Sequence, residues 1–305
     1  MSGERIVKAA LVIGINYVGQ SGALAGCHRD ACTMHDLLTG RIGVEREHVT
    51  FMVDGPAAVH AAYGSGPKQP TGSNIMRALH DLASLSFAHP ELEEVWFHYS
   101  GHGSYLRHSE LAGTGIAADA ASEDDGRHET LVPVDWERNG MILDDMLNHA
   151  LGGFRRGVRI IGVVDACHSE TAVDLRYRYV SGTKHVVENP NCSVRNDCIM
   201  ISGCTDLQTS ADAALGPAGE YAGAMTSALA YVLGEFDCTV QCFTLLRKMR
   251  EFLKARKFTQ TPQITCSKPL SASTFFTCYN QVGAFSRPCG GAGTSSGTAS
   301  TSTSA

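Results

Sequence analysis

Four apolar runs constrain this chain more than any other feature. "KAALVIGINY" (Lys8–Tyr17), "EEVWFHYSG" (Glu93–Gly101), "VRIIGVVDA" (Val158–Ala166) and "DCIMISGCT" (Asp197–Thr205) are apolar almost without a break, where a strand with one face in water would alternate. Such runs predict strands buried on both faces, the condition of a parallel sheet covered by helices. Segments of helical spacing lie between and beyond them: Arg29–Leu38, Ser73–Leu85 with Ser73 as N-cap, Leu143–Leu151, Tyr221–Phe236 and Phe243–Arg256. His48–Asp54 adds a strand, Glu129–Trp136 reads as extended, and Thr261–Ser267 reads as a last edge strand. Leu106–Asp125 and Arg176–Arg195 read as loops, and the Gly/Ser/Thr-rich tail after Pro288 as disordered. The fold class is therefore α/β, with a mainly parallel central sheet flanked by helices on both faces. In such sheets ligands bind at the carboxyl ends of the strands.

The 305 residues suffice for one large domain with a sizeable core. A net charge of -6 gives no reason to expect nucleic acid or an anionic membrane as partner. No run is apolar for long enough to span a bilayer, and the first residues show no signal-peptide cleavage site, so the expected compartment is the cytoplasm. Eleven cysteines are scattered with no Cys-x-x-Cys pair, which argues against zinc and for reduced, partly buried thiols.

Two strand ends carry chemistry. The third strand runs into "HYSGHGS", with His102 between two glycines, a poor setting for core packing and a good one for a base presented at the sheet's rim. The fourth runs into "DACHS", with Asp165, Cys167 and His168. If the two strands are neighbours, His102 and Cys167 face each other. A nearby imidazolium lowers a thiol's pKa and makes it a nucleophile. The backbone N–H groups of Gly103 and Cys167 are placed to hold a developing oxyanion. His168 adjoins Cys167 and on an extended chain points to the opposite face, which makes it a poor partner.

"ALVIGINY", "GC-x-x-D", "FHYSGHGS", "ETLVPVDW", "ILDD" and "VVDACHS-x-x-x-VDL", in this order, resemble the metacaspases, cysteine peptidases of the caspase-like clan. The resemblance covers about residues 8 to 270 and implies a caspase-like fold. It implies a large-subunit-like part at 1–175 with the catalytic dyad, a linker loop at 176–196, a small-subunit-like part at 197–287 and a tail at 288–305, as in type I members without their usual N-terminal prodomain. It implies Cys167 as nucleophile, His102 as base, and an S1 pocket for Arg or Lys made by Asp30, Asp165, Cys27 and Ser100. Two carboxylates in a cleft suit a guanidinium or ammonium, and Asp165 shares its side of the strand with Cys167. Asp30 taken alone also suits the first turn of a helix. Protein or peptide substrates with Arg or Lys at P1 and a monomeric enzyme are the expectation, with self-cleavage at Arg176, Arg178, Lys184 or Arg195.

The resemblance also implies calcium, with ligands at Asp144, Asp145 and Asp174, the oxygen donors a hard cation takes. The fourth matching position carries His128 where relatives have Asp, and imidazole is a poor ligand for calcium. Either Glu129, Asp124 or Asp125 substitutes, or the site is weak or lost. Glu170 stands where relatives commonly carry Gly, and "HRD" replaces the more usual Asn-Asp ending at Asp30. These departures motivate a second reading, a caspase-like regulatory module without catalysis; the intact dyad and pocket acids oppose it. A nucleotide-binding domain is disfavoured, because "GINYVGQSG" has neither G-x-G-x-x-G nor a P-loop lysine.

Overall fold

The computed structural model describes residues 6–55, 63, 69–107, 127–166, 173–179, 183–203, 212–214, 221–258 and 260–277. Eight strands form the central sheet: β1 (Lys8–Gly14), β2 (Val49–Val53), β3 (Glu94–Ser100), β7 (Arg159–Asp165), β8 (Tyr177–Tyr179), β9 (Val186–Val187), β10 (Asp197–Ser202) and β14 (Gln263–Cys266). Their spatial order is β2-β1-β3-β7-β10-β14-β8-β9. The first five in that order pair in parallel, and β14, β8 and β9 continue the sheet antiparallel. The expected α/β architecture is the observed one.

Successive residues of each central strand face opposite layers. Leu11, Ile13, Phe97, Tyr99, Ile160 and Val164 pack with α2 (Gly72–Ala88) and α3 (Asp144–Gly152). Val12, Trp96, Ile161, Val163 and Ile199 pack with α1 (Cys27–Leu37), α4 (Ala224–Glu235) and α5 (Cys242–Ala255). Burial on both faces explains why these runs never alternate. The connection from β1 to β2 carries α1 on one face and that from β2 to β3 carries α2 on the other. The chain therefore reverses its course between β1 and β3, and a crevice opens there at the strands' carboxyl ends.

Several boundaries differ from the sequence reading. The N-cap of α2 is Thr71, not Ser73: its hydroxyl accepts from Asn74 N at 3.2 Å. Thr261–Ser267 is no edge strand, since β14 lies between β10 and β8. The expected loop 176–195 supplies β8 and β9, held by Arg178–Glu188 at 2.8 Å. Leu106 and Arg107 belong to β4 (Gly103–Arg107), which pairs with β5 (Arg127–Leu131), itself paired with β6 (Ile142–Leu143). The extended reading of Glu129–Trp136 holds only as far as Leu131, and a short helix starts at Trp136. The helix expected from Tyr221 begins at Ala224, after β12 (Tyr221–Gly223), which pairs with β11 (Asp212–Ala214). A last small pair, β13 (Val240–Gln241) with β15 (Phe275–Thr277), ties the start of α5 to the end of the described chain. None of the seven cysteines among the described residues forms a disulfide, and all but Cys32 are buried. The tail lies outside the described residues.

Candidate active site

Strands β3 and β7 are neighbours, with Ser100 directly opposite Asp165. The condition on which the dyad reading rested is thereby met. His102 stands two residues beyond Ser100; Cys167, two beyond Asp165, lies with His168 and Glu170 outside the described residues. Gly101 N donates to Asp165 O at 3.3 Å, so the two chain ends remain tied past the last ladder position.

His102 is held on three sides. Its Nε2 is 2.6 Å from the Gly22 carbonyl oxygen. A carbonyl only accepts, so Nε2 carries the hydrogen, which in the neutral ring leaves the lone pair on Nδ1. Its ring lies 4.7 Å from that of Tyr17, tilted by 35°. Its backbone N–H donates to the Tyr17 hydroxyl at 2.8 Å, and that hydroxyl donates to Val132 O at 2.7 Å. The Tyr99 hydroxyl sits 2.8 Å from the His102 carbonyl. Burial pushes the hydroxyl pKa of both tyrosines up, so they stay neutral donors. Gly103 follows as the first residue of β4, opposite Leu131. A cavity of about 210 Å³ opens beside His102, lined also by Tyr17, Gly103, Val132, Trp136 and Met141.

The two acids meet at the start of α4. Asp30, on α1, accepts from Ser100 Oγ at 2.6 Å and from Gly223 N at 2.8 Å. Asp165 accepts at one oxygen from both Thr226 N and Thr226 Oγ1, each at 2.9 Å. A side chain on Gly223 would put its Cβ 2.3 Å from Asp165 Oδ2 and 2.5 Å from Asp30 Oδ2, so the two carboxylates converge on this one glycine. Both are buried, at 1% and 4% exposure, and each is met by two donors. Ser100 is thus a support for Asp30. Cys27 opens α1 and is buried; its N–H donates to Asn16 Oδ1 at 2.9 Å. Gly14 lets α1 start this close to β1, because a Cβ there would lie 2.2 Å from the Cys27 carbonyl oxygen.

A second acidic group lies around α3. Ligand atoms of His128, Asp144 and Asp145 come within 4.8 Å of one another. Asp144 accepts from Glu129 N at 3.1 Å and from Asp145 N at 2.8 Å. Asp174 stands apart from that group of three but feels it: burial first, then Asp145 and Glu129, push its carboxyl up to about 7. Asn189 donates to its side chain and Asn148 to its carbonyl. The carboxylates fit a hard cation, whereas the buried imidazole of His128 does not. Asp124 and Asp125 lie outside the described residues.

Sequence reading missed Tyr17, Gly22, Gly223 and Thr226. The only available signal was "GINY" closing a buried strand beside "VGQSG"; Gly223 and Thr226 act largely through backbone N–H groups and leave no motif.

Residues 8–176 match the family model for the metacaspase peptidase C14 domain. Metacaspase-1 of Cryptococcus neoformans var. neoformans serotype D is 33% identical over 322 residues, covering 89% of this chain and 65% of the relative. Metacaspase-1 of Ajellomyces capsulatus is 31% identical over 318 residues, covering 88% and 82%. The chain thus spans just under two thirds of the length of the Cryptococcus relative. Among solved structures, protein GSU0716 of Geobacter sulfurreducens superposes with a TM-score of 0.55 at 22% identity, over 87% of this chain and 95% of its own, a likeness of fold. With the paired strand ends, the histidine held at their rim and the family match over more than half of its length, the chain belongs to the metacaspases, the caspase-like cysteine-type peptidases of family C14.

Proposed function

We propose that this chain is an endopeptidase that cleaves polypeptides after Arg or Lys, with Cys167 as nucleophile and His102 as base. The observation that carries the reading is the convergence of two buried carboxylates, Asp30 and Asp165, at the strand ends that lead to His102 and Cys167. Like charges this close in a dry site repel, and a guanidinium between them relieves that repulsion with charge-assisted hydrogen bonds. An Asp side chain at P1 would add a third negative charge.

His102 Nδ1 takes the proton of the Cys167 thiol. The thiolate attacks the scissile carbonyl carbon, and the oxyanion is met by the N–H groups of Gly103 and Cys167. The imidazolium returns its proton to the leaving amine as the C–N bond breaks. Water, deprotonated by the same imidazole, then attacks the acyl-enzyme, and Cys167 leaves as a thiol with that proton. The Gly22 carbonyl holds the hydrogen on Nε2 throughout, so Nδ1 is the nitrogen that gains and loses the proton.

Asp144, Asp145 and Asp174 are the residues that would hold calcium, with Glu129 beside them. A bound cation there would neutralise the acidic group. His128 weakens the site relative to one built of four carboxylates. We further take the enzyme to act as a monomer in the cytoplasm; among the described residues no helix is long and apolar enough to cross a membrane.

The test is covalent labelling followed by mass spectrometry. A thiol-reactive peptide ketone ending in Arg is expected to modify Cys167, and the matched peptide ending in Asp is not. Equal labelling by both would remove the acidic pocket from the reading.

A further inference from the structure

Asp54 lies one residue beyond the last position of β2, with its side chain buried and no part in the chemistry described above. Its carboxylate reaches across the end of the neighbouring strand β1. One oxygen accepts from Asn16 N at 2.8 Å and the other from Val18 N at 2.9 Å. His28 Nε2, on α1, lies 2.6 Å from the first of these oxygens. Hydrogen bonds from His28 and from the two backbone groups outweigh the upward push of burial and leave this carboxyl below its ordinary pKa, so it is ionised at neutral pH.

The residue between those two N–H groups is Tyr17, and its φ is +52°, the left-handed region that a bulky side chain rarely adopts. A conformation of this kind persists only where its surroundings over-determine it. Here the two flanking N–H groups are bound to one carboxylate. The turn fixed in this way aims the Tyr17 ring against the His102 imidazole and its hydroxyl at the His102 N–H. It also sets the course of the segment that follows: Gln20 N donates to Tyr17 O and Leu24 N to Asn16 O, each at 2.9 Å, and between them Gly22 O receives His102 Nε2. Two supports of the histidine, Tyr17 and the Gly22 carbonyl, therefore hang from one clamp.

We propose that Asp54 is a positioning residue for the base: by clamping the left-handed turn at Tyr17 it holds the imidazole of His102 in place and in its Nε2–H tautomer. The inference rests on the reading of His102 as the base of a Cys167 peptidase. Replacing this aspartate by asparagine keeps the shape but turns one acceptor into a donor facing a backbone N–H, which opens the clamp.

The experiment compares wild type and Asp54→Asn in two ways. In the active enzyme, with an Arg-terminated fluorogenic peptide, kcat is expected to fall by about 10- to 100-fold, the cost of a slightly misplaced catalytic group, while KM stays within about twofold. In a Cys167→Ala background, ring 15N spectra of His102 are expected to show one Nε2–H tautomer when Asp54 is intact and a mixture of both tautomers once Asp54→Asn is added. The second readout needs no turnover, so a chain inactive on every peptide still answers the question about Asp54. A folded Asp54→Asn variant with unchanged kcat and an unchanged tautomer would overturn the proposal, as would a loss seen only in KM. Should Asp54→Asn not fold, His28→Ala loosens the same clamp from outside. It is expected to lower kcat several-fold and to mix the tautomers; no change in either overturns the proposal.

Discussion

Gly223→Ala is the most informative single-atom perturbation of the acidic pocket. The backbone there, at φ -63° and ψ 133°, accepts alanine without strain, so the whole effect comes from the added methyl group. That methyl would stand 2.3 Å from Asp165 Oδ2, 2.5 Å from Asp30 Oδ2 and 3.0 Å from Asp165 Cγ. Neither carboxylate swings aside easily. Asp30 is tied by Ser100 Oγ and Gly223 N, and Asp165 by both donors of Thr226. Overpacking of this kind costs about 1–3 kcal/mol, and loss of one charge-assisted bond about 1.5–3 kcal/mol. If a comparable share falls on substrate binding, KM for Arg and Lys peptides rises about 10- to 100-fold, at about 1.4 kcal/mol per decade. The assay is steady-state hydrolysis, paired with alkylation of Cys167 by iodoacetamide, which carries no charge and reports the dyad alone. Normal alkylation with a raised KM is the expected pair of results. An unchanged KM and an unchanged melting temperature would falsify the convergence of Asp30 and Asp165 on this glycine.

Three further outcomes are expected. Asp174 is an acid whose folded pKa, about 7, stands above its unfolded value of 3.8. Its protonation therefore stabilises the fold fully below about pH 4, and that contribution is lost as pH rises through 7. Asp174→Asn, with Asn well suited to the φ of +49° there, should raise calcium-free stability at pH 8 by roughly 2–4 kcal/mol and leave it little changed at pH 4, as read by denaturant melts in a chelator. His128→Asp adds an oxygen donor in place of an imidazole beside Asp144 and Asp145 and should lower the calcium concentration for half-maximal activity about tenfold or more. Self-cleavage, followed by intact mass, should fall at Lys184, which is exposed between β8 and β9. Arg178 should stay uncut, because it sits inside the sheet opposite Thr265 and Val186.

The long central strands were legible because burial on both faces leaves an unmistakable sign, an apolar run with almost no polar break. β8 and β9 were not, because strands of three and two residues carry no period, and "YRY" with exposed Val186 and Val187 looks like any surface loop. β14 read as an edge strand because nothing in "TPQITCS" says that a further hairpin covers it. The helix cap moved from Ser73 to Thr71 because "PTGSN" offers two hydroxyl caps, and only the geometry at Asn74 N selects between them. Around the site, His102 and Asp165 stood out because their neighbours, glycines and a cysteine at strand ends, have no packing reason to be there. Gly223 and Thr226 lie far along the chain from Asp30 and Asp165 and reach them through two backbone N–H groups, which any sequence can supply, and one threonine hydroxyl with no motif around it. Asp54 read only as the last residue of the strand His48–Asp54, and its two bonds across the end of β1 exist only once β1 and β2 pair in parallel.

The account turns on the joint action of Cys167 and the acid pair, and one measurement tests that directly: hydrolysis of matched fluorogenic peptides ending in Arg, Lys or Asp by wild type and Cys167→Ala, with and without calcium. The account predicts cleavage after Arg and Lys, none after Asp, and complete loss in the variant. Cleavage after Asp, or Arg cleavage that survives Cys167→Ala, would contradict it.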